Sequence, residues 1–309
     1  MKKILLILIC PFLLFGCQSD IDDGRIKVYT SFYTMYDFTE KIAGDNVRVY
    51  NLMPQGTDAH DWQPSSKQIV NLNKADIFIY NGLGMEHWVE SVIPTLENPK
   101  LKVVIASDGV TVIGGEHEEE NEEEEHNHGA VDPHIWLSPI NAEIILSNIK
   151  DALIEVDPDN ALEYQSNYDK YAEECKQLHN DFTTQLENFE KRDIVVTHQA
   201  FSYLCEEYNL NQFALQGLHS EETNPQRMKE AADYIKAENI KVIFYEPASG
   251  KALAQTLSNE DGVSTSIAPL NPLESLTDEE IKNKADYFSV MRANLAEILK
   301  ALKKQNGII

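Results

Sequence analysis

The sequence predicts an α/β fold of two similar lobes, each with a mostly parallel sheet, joined by one long backbone helix. Three observations carry this. Short β-branched runs alternate with amphipathic stretches from residue 25 to residue 105, and the alternation returns after residue 190. Strands alternating with helical patterns form βαβ units and parallel sheets. Between the halves, residues 159–190 contain no Gly and no Pro, and apolar or aromatic side chains recur mostly three or four apart. The length, 309 residues, also exceeds what one hydrophobic core usually serves.

In the first half the expected strands are 26–30, 47–52, 76–80 and 102–105, with helices at 33–43, 65–73 and 85–95. Helix resumes at 140–156. Asp157-Pro158 then reads as a helix start, with Asp157 as N-cap and Pro158 in the first turn. The helix it opens runs to residue 190, roughly 45 Å at 1.5 Å per residue. In the second half the expected strands are 193–197, 212–215, 241–245 and 264–267, with helices at 200–208, 225–238, 250–258 and 278–303. The chain thus divides into a leader (1–16), an N-terminal lobe (17–156), a linking helix (157–190) and a C-terminal lobe (191–309). Open α/β sheets bind ligands beyond the carboxyl ends of their strands, so two lobes suggest a cleft between two such edges.

At 42% hydrophobic and 25% charged, the composition is that of a folded globular protein. A formal net charge of −25 argues against nucleic acid as a partner, because phosphate binding needs clustered Lys and Arg. It suits cations. Lys2 and Lys3 precede an apolar run, residues 4–15, of signal-peptide size and short for a bilayer span. Leu14-Phe15-Gly16-Cys17 then resembles the bacterial lipobox, although Phe15 is bulkier than usual. That resemblance implies an exported chain held at the outer face of the cell membrane, or in the periplasm, by a lipid on Cys17. An ordinary secretory leader cut nearby is the alternative. Cys10 leaves with the leader, so Cys175 and Cys205 remain, either bridged as export permits or present as two buried thiols.

Three His occupy unusual contexts. His60 lies between a strand and a helix, His134 in Asp132-Pro133-His134-Ile135-Trp136, and His198 closes a strand before Gln199-Ala200-Phe201. Neutral imidazole is a good Zn²⁺ ligand, and a carboxylate can complete a tetrahedral site. A single such His is more often structural. Three at element ends, in an acidic exported chain, favour a metal site.

The motifs around them are Gly-x-x-x-His-x-x-x-Pro at His60, Asp-Pro-His-x-Trp-Leu-x-Pro at His134 and Thr-His-x-Ala-Phe-x-Tyr-Leu at His198. Ile243-Phe244-Tyr245-Glu246-Pro247 and Leu270-Asn271-Pro272-Leu273-Glu274 accompany them. With these motifs the chain, from Lys27 to its C-terminus, resembles the metal-binding lipoproteins of bacterial ABC transporters that import zinc or manganese. The resemblance implies the same two-lobe, long-helix fold, with His60, His134 and His198 as three metal ligands. It implies Glu274 as the fourth, with Glu246 as rival and as a hydrogen-bonded structural carboxylate otherwise. Ala59, Gln63 and Ser138 depart from common family forms, and none is a matched ligand.

Three imidazoles and one carboxylate favour Zn²⁺, whereas Mn²⁺ prefers more oxygen. The expected function is an extracytoplasmic zinc receptor, a monomer that delivers Zn²⁺ to an ABC permease. A manganese or mixed-metal receptor and a surface adhesin are alternatives within the family. A zinc hydrolase is the alternative from another class, but the sequence has no His-Glu-x-x-His helix and no Gly-x-Ser-x-Gly elbow. Residues 116–128, EHEEENEEEEHNH, hold eight Glu and are expected to form a mobile surface loop. His117, His126 and His128 give that loop weak accessory zinc affinity, as the resemblance also implies. His87 and His179 read as structural or surface residues, and His219 has no assignable role.

Overall fold

The computed structural model describes residues 23–114, 131–219 and 223–308. It contains two four-stranded parallel sheets. The first holds β1 (Ile26–Thr30), β2 (Val47–Asn51), β3 (Ile77–Tyr80) and β4 (Lys102–Ile105), in the order β2-β1-β3-β4. The second holds β5 (Asp193–His198), β6 (Asn211–Gln216), β7 (Val242–Tyr245) and β8 (Ser266–Pro269), in the matching order β6-β5-β7-β8. In each sheet the chain leaves on one side of its first strand and returns on the other. Each sheet therefore has a switch point between its first and third strands, where α/β proteins place ligands. Strands β3 and β5 are buried almost throughout, which is why they read as apolar runs and not as alternating patterns.

Helices α1 (Tyr33–Ala43), α2 (Ser66–Leu72) and α3 (Val89–Val92) belong to the first lobe. Helix α4 (Pro139–Val156) begins at Ser138, whose side chain accepts from Asn141 N, with Pro139 in the first turn. Helix α5 (Ala161–Leu186) has 26 residues, about 39 Å of helix. The second lobe carries α6 (Ser202–Glu207), α7 (Pro225–Glu238), α8 (Ala252–Ser258), α9 (Asp278–Lys282) and α10 (Tyr287–Gln305). Helix α5 packs on α4, α1 and α10, and so touches both lobes. One apolar cluster runs from Val28 and Phe38 through Trp136, Tyr164 and Phe182 to Phe244, Tyr287 and Leu302. The lobes share this core. Opening them widely would expose apolar side chains at about 25 cal/mol per Å².

Several boundaries differ from expectation. The helix expected at 85–95 is only α3 followed by a 3₁₀ turn, Ile93–Thr95. Pro94 cannot donate to a helix ladder, and Glu86 holds the residues before α3 as a turn. The helix expected at 278–303 is broken. Lys284 takes φ +56°, and Asp286 starts α10 afresh by accepting from Ser289 N at 2.9 Å while Ser289 Oγ accepts from Asp286 N at 2.8 Å. Asp157 stands at the N-cap position of the helical run that leads into α5, with Pro158 in its first turn, but its side chain caps no backbone N–H. Residues Pro158–Asn160 form a 3₁₀ turn, and the Asp157 carboxylate instead accepts from Tyr164 Oη and Asn160 Nδ2. Helix α5 ends four residues short of residue 190. Strand β8 lies two residues later than expected, and Cys175 and Cys205 are free buried thiols. The expected leader and Cys17, and the acidic segment with His117, His126 and His128, lie outside the described residues.

A buried amide fixes the segment that leads out of β8. Asn294, on α10, accepts from Asn271 N at 2.9 Å and donates to Asn271 O at 2.7 Å. Asn294→Ala leaves both groups buried without partners, at about 1–3 kcal/mol each. Urea unfolding should therefore show a loss of roughly 2–5 kcal/mol at unchanged slope. A loss under about 0.5 kcal/mol would contradict the clamp.

Candidate metal centre

The connections that leave the carboxyl edges of both sheets carry the candidate side chains. His60 lies in the long connection from β2 to α2. Asp58 Oδ1 accepts from His60 N at 2.9 Å, and Gly56 N donates across the cleft to Ser275 Oγ at 2.6 Å. Gly56 has φ +69°, a conformation that glycine adopts without strain.

His134 lies in the segment before α4, which both lobes hold. Asn81 Nδ2 donates to Pro133 O at 2.9 Å, and Tyr203 Oη donates to Asp132 O at 2.8 Å. Trp136 Nε1 donates to Pro272 O at 2.7 Å, and Tyr287 Oη donates to Trp136 O at 2.7 Å. His198 ends β5. Glu274 follows β8, next to Leu273 at φ +66°. That conformation is unfavourable for a branched side chain. It is held by Leu273 N donating to Asn271 Oδ1 at 2.7 Å and Thr34 Oγ1 donating to Leu273 O at 2.6 Å.

These four side chains converge, each offering one ligand atom within 4.8 Å of the others. His60 Nε2 lies 3.2 Å from His134 Nε2, and Glu274 Oε1 lies 3.4 Å from His134 Nε2 and 3.7 Å from His60 Nε2. A tetrahedral ion with bonds of about 2.0–2.1 Å keeps its ligand atoms about 3.3 Å apart. The His60, His134 and Glu274 atoms have close to that spacing, and the His198 nitrogen lies within 4.8 Å of them. All four residues are buried, and Glu274 Oε1 has no hydrogen-bond partner among the described residues. A buried carboxylate oxygen aimed at imidazole nitrogens calls for a cation or a proton.

The rings are oriented from behind. Asp132 Oδ1 lies 2.8 Å from His134 Nδ1, and Glu246 Oε1 lies 2.6 Å from His198 Nδ1. Such carboxylates fix the tautomer and aim Nε2 inward. Glu246 therefore stands behind the His198 ring, and Glu274 faces the cluster. Burial works against protonation of His134, but Asp132 and Glu274 outweigh it and hold its pKa above the usual value. Burial likewise opposes protonation of His198, but the bond to Glu246 and that residue's charge raise it to about 9. Burial would raise Glu274, yet the facing imidazoles of His134 and His60 hold it well below the usual carboxylate range.

A family described as zinc-uptake complex component A, periplasmic (ZnuA) matches residues 28–301. The chain belongs to this family. Across 99% of its length it is 37% identical to the zinc-binding lipoprotein AdcA of Streptococcus pneumoniae, and it spans 62% of that relative. It is 36% identical to the high-affinity zinc uptake system protein ZnuA of Bacillus subtilis, across 90% of this chain and 88% of that one. The Zn(II)-bound ZnuA-like domain of S. pneumoniae AdcA superposes with a TM-score of 0.76 at 34% identity, covering 90% of this chain and 99% of that domain. The likeness to AdcA thus extends over its ZnuA-like part.

Within this ZnuA-type fold, sequence reasoning found the four converging side chains. Among the described residues it missed Asp132, although Asp-x-His spacing could have revealed a carboxylate two residues before a ring. It also missed His219, whose ring centroid lies 5.5 Å from that of His60. No local pattern marks His219. His179 stands apart, with its Nδ1 bound to Glu207 Oε1 at 2.6 Å.

The His198–Glu246 pair makes a testable statement about pH. A folded-state pKa raised to about 9, against about 6.5 unfolded, adds stability that is complete below the lower value. That stability is lost as pH rises through the higher one. In chelator-treated protein, imidazole NMR should place the His198 midpoint well above 6.5, and Glu246→Gln should move it down. A wild-type midpoint at or below the ordinary value would contradict the pairing.

Proposed function

We propose that this chain is an extracytoplasmic zinc receptor that captures Zn²⁺ and delivers it to an ABC-type importer. The observation that carries the reading is the convergence of three imidazoles and one carboxylate from segments of both lobes. His60, His134, His198 and Glu274 are the proposed ligands. The nitrogen-rich set suits Zn²⁺ better than Mn²⁺, which prefers oxygen donors. The names of the relatives point the same way.

Zn²⁺ is cargo here, so binding must be tight yet reversible. Ligands drawn from both lobes allow release, because small shifts of the connecting segments lengthen several short bonds together. The shared core argues for such shifts over a wide hinge motion. His198 must lose its proton to bind metal, so uptake releases protons and weakens as pH falls. In this reading Cys17 carries the lipid that keeps the receptor at the membrane face, residues 1–16 are removed, and the receptor works as a monomer with its permease. The lobe division at 17–156, 157–190 and 191–309 belongs to the same proposal, as does weak zinc capture by His117, His126 and His128.

Metal analysis and Zn²⁺/Mn²⁺ competition on residues 18–309 test this directly. One tight Zn²⁺ equivalent is expected. Replacing His60, His134, His198 or Glu274 by Ala should weaken it by at least about 100-fold, close to 3 kcal/mol, whereas His179→Ala should change it little. Full affinity in His198→Ala would remove the basis for zinc over manganese. A silent Glu274→Ala beside a damaging Glu246→Ala would reverse the choice of carboxylate.

A further inference from the structure

Outside the buried cluster, the described residues hold a second line of imidazoles. The ring centroids of His87 and His219 are 5.2 Å apart, and those of His219 and His60 are 5.5 Å apart. The cluster supplies its own yardstick, because His60, His134 and His198 have ring centroids 5.0–5.3 Å apart. The pair His87–His219 therefore has the separation of two side chains that can share an ion. Burial rises along the line: His87 is exposed, His219 half-buried and His60 buried.

His87 is exposed but not loose. Its neighbour Glu86 is buried and accepts from Ser31 Oγ at 2.6 Å, Asn81 N at 2.8 Å and Gly82 N at 3.0 Å. Gly82 takes φ +85°, and a Cβ there would lie 2.7 Å from Ile105 Cγ2, so the turn depends on glycine. Trp88, on the other side, is buried against Phe78 and Trp62. The turn therefore fixes where the His87 side chain begins. His219 is tied to the cluster through its own neighbour, since His198 Nε2 donates to Leu218 O at 3.1 Å. A metal bond at that nitrogen replaces the hydrogen bond and frees the backbone beside His219.

We propose that His87 and His219 form an outer two-imidazole site that takes up Zn²⁺ and hands it to His60. The inference rests on the zinc-receptor reading and deepens it. Two protein ligands leave the remaining positions of a four-coordinate ion to water, so this site binds more weakly than the buried one. Each transfer exchanges one bond to the ion for another, water or imidazole, with no change of oxidation state. A relay of this kind changes association and dissociation by the same factor and leaves the equilibrium constant of the buried site unchanged.

The test uses the full chain loaded with one equivalent of Zn²⁺ and then titrated with further Zn²⁺ alone, followed by imidazole NMR. The His87 and His219 resonances should move together in a second, weaker phase. His87→Ala should abolish the His219 shift, and His219→Ala the His87 shift, without loss of the first equivalent. In stopped flow, His87→Ala should slow zinc association and dissociation by a common factor, on the order of threefold to tenfold. A tight first equivalent with no paired shift, or a His219 shift that survives His87→Ala, would overturn this inference alone. Absence of a tight first equivalent would overturn the receptor reading as well.

Discussion

Four polar side chains must be held facing one another where bulk water does not reach, and much of the architecture answers that demand. Burying imidazoles and a carboxylate without partners costs several kcal/mol. Two devices limit the cost. Asp132 and Glu246 occupy the Nδ1 nitrogens of His134 and His198, so each ring keeps that hydrogen bond, and the His198 Nε2 also donates to Leu218 O. Glu274 then supplies the negative charge that a dication or imidazolium protons require. The cluster is poised for a cation because of what surrounds it.

The same demand explains why the lobes share one core. His134 and Glu274 sit in segments that bond to each other's lobes, through Trp136 to Pro272 and through Thr34 to Leu273. The His60 connection is held across the cleft more lightly, by Gly56 N to Ser275 Oγ. Helix α5 braces both halves from behind. On the proposed reading, the metal bonds change through the connecting loops, with the sheets and the long helix as the frame.

Much of this was legible in the sequence, for identifiable reasons. Buried parallel strands leave apolar runs, and a helix touching both lobes leaves a long three-to-four repeat, so β1 to β7 were found close to their true ends and α5 to within about four residues of each end. The break between α9 and α10 was missed because helical spacing continues across it through Ile281, Ala285 and Phe288, while the cap pair Asp286 and Ser289 is short and local. Glu246 and Glu274 both follow strands, so spacing alone left two candidates. What separates them is direction, since Glu274 Oε1 faces the Nε2 atoms of His60 and His134 while Glu246 is drawn to the Nδ1 of His198. His219 was invisible for a related reason: its neighbours come from connections far away in the chain.

The central claim is a zinc ion held by three imidazole nitrogens and one carboxylate oxygen. X-ray absorption of the protein loaded with one Zn²⁺ equivalent addresses it most directly. Four nitrogen or oxygen ligands at about 2.0–2.1 Å are predicted, with outer-shell scattering from three imidazole rings. Five or six ligands, a sulfur shell at about 2.3 Å, or scattering from fewer than three rings would contradict the account.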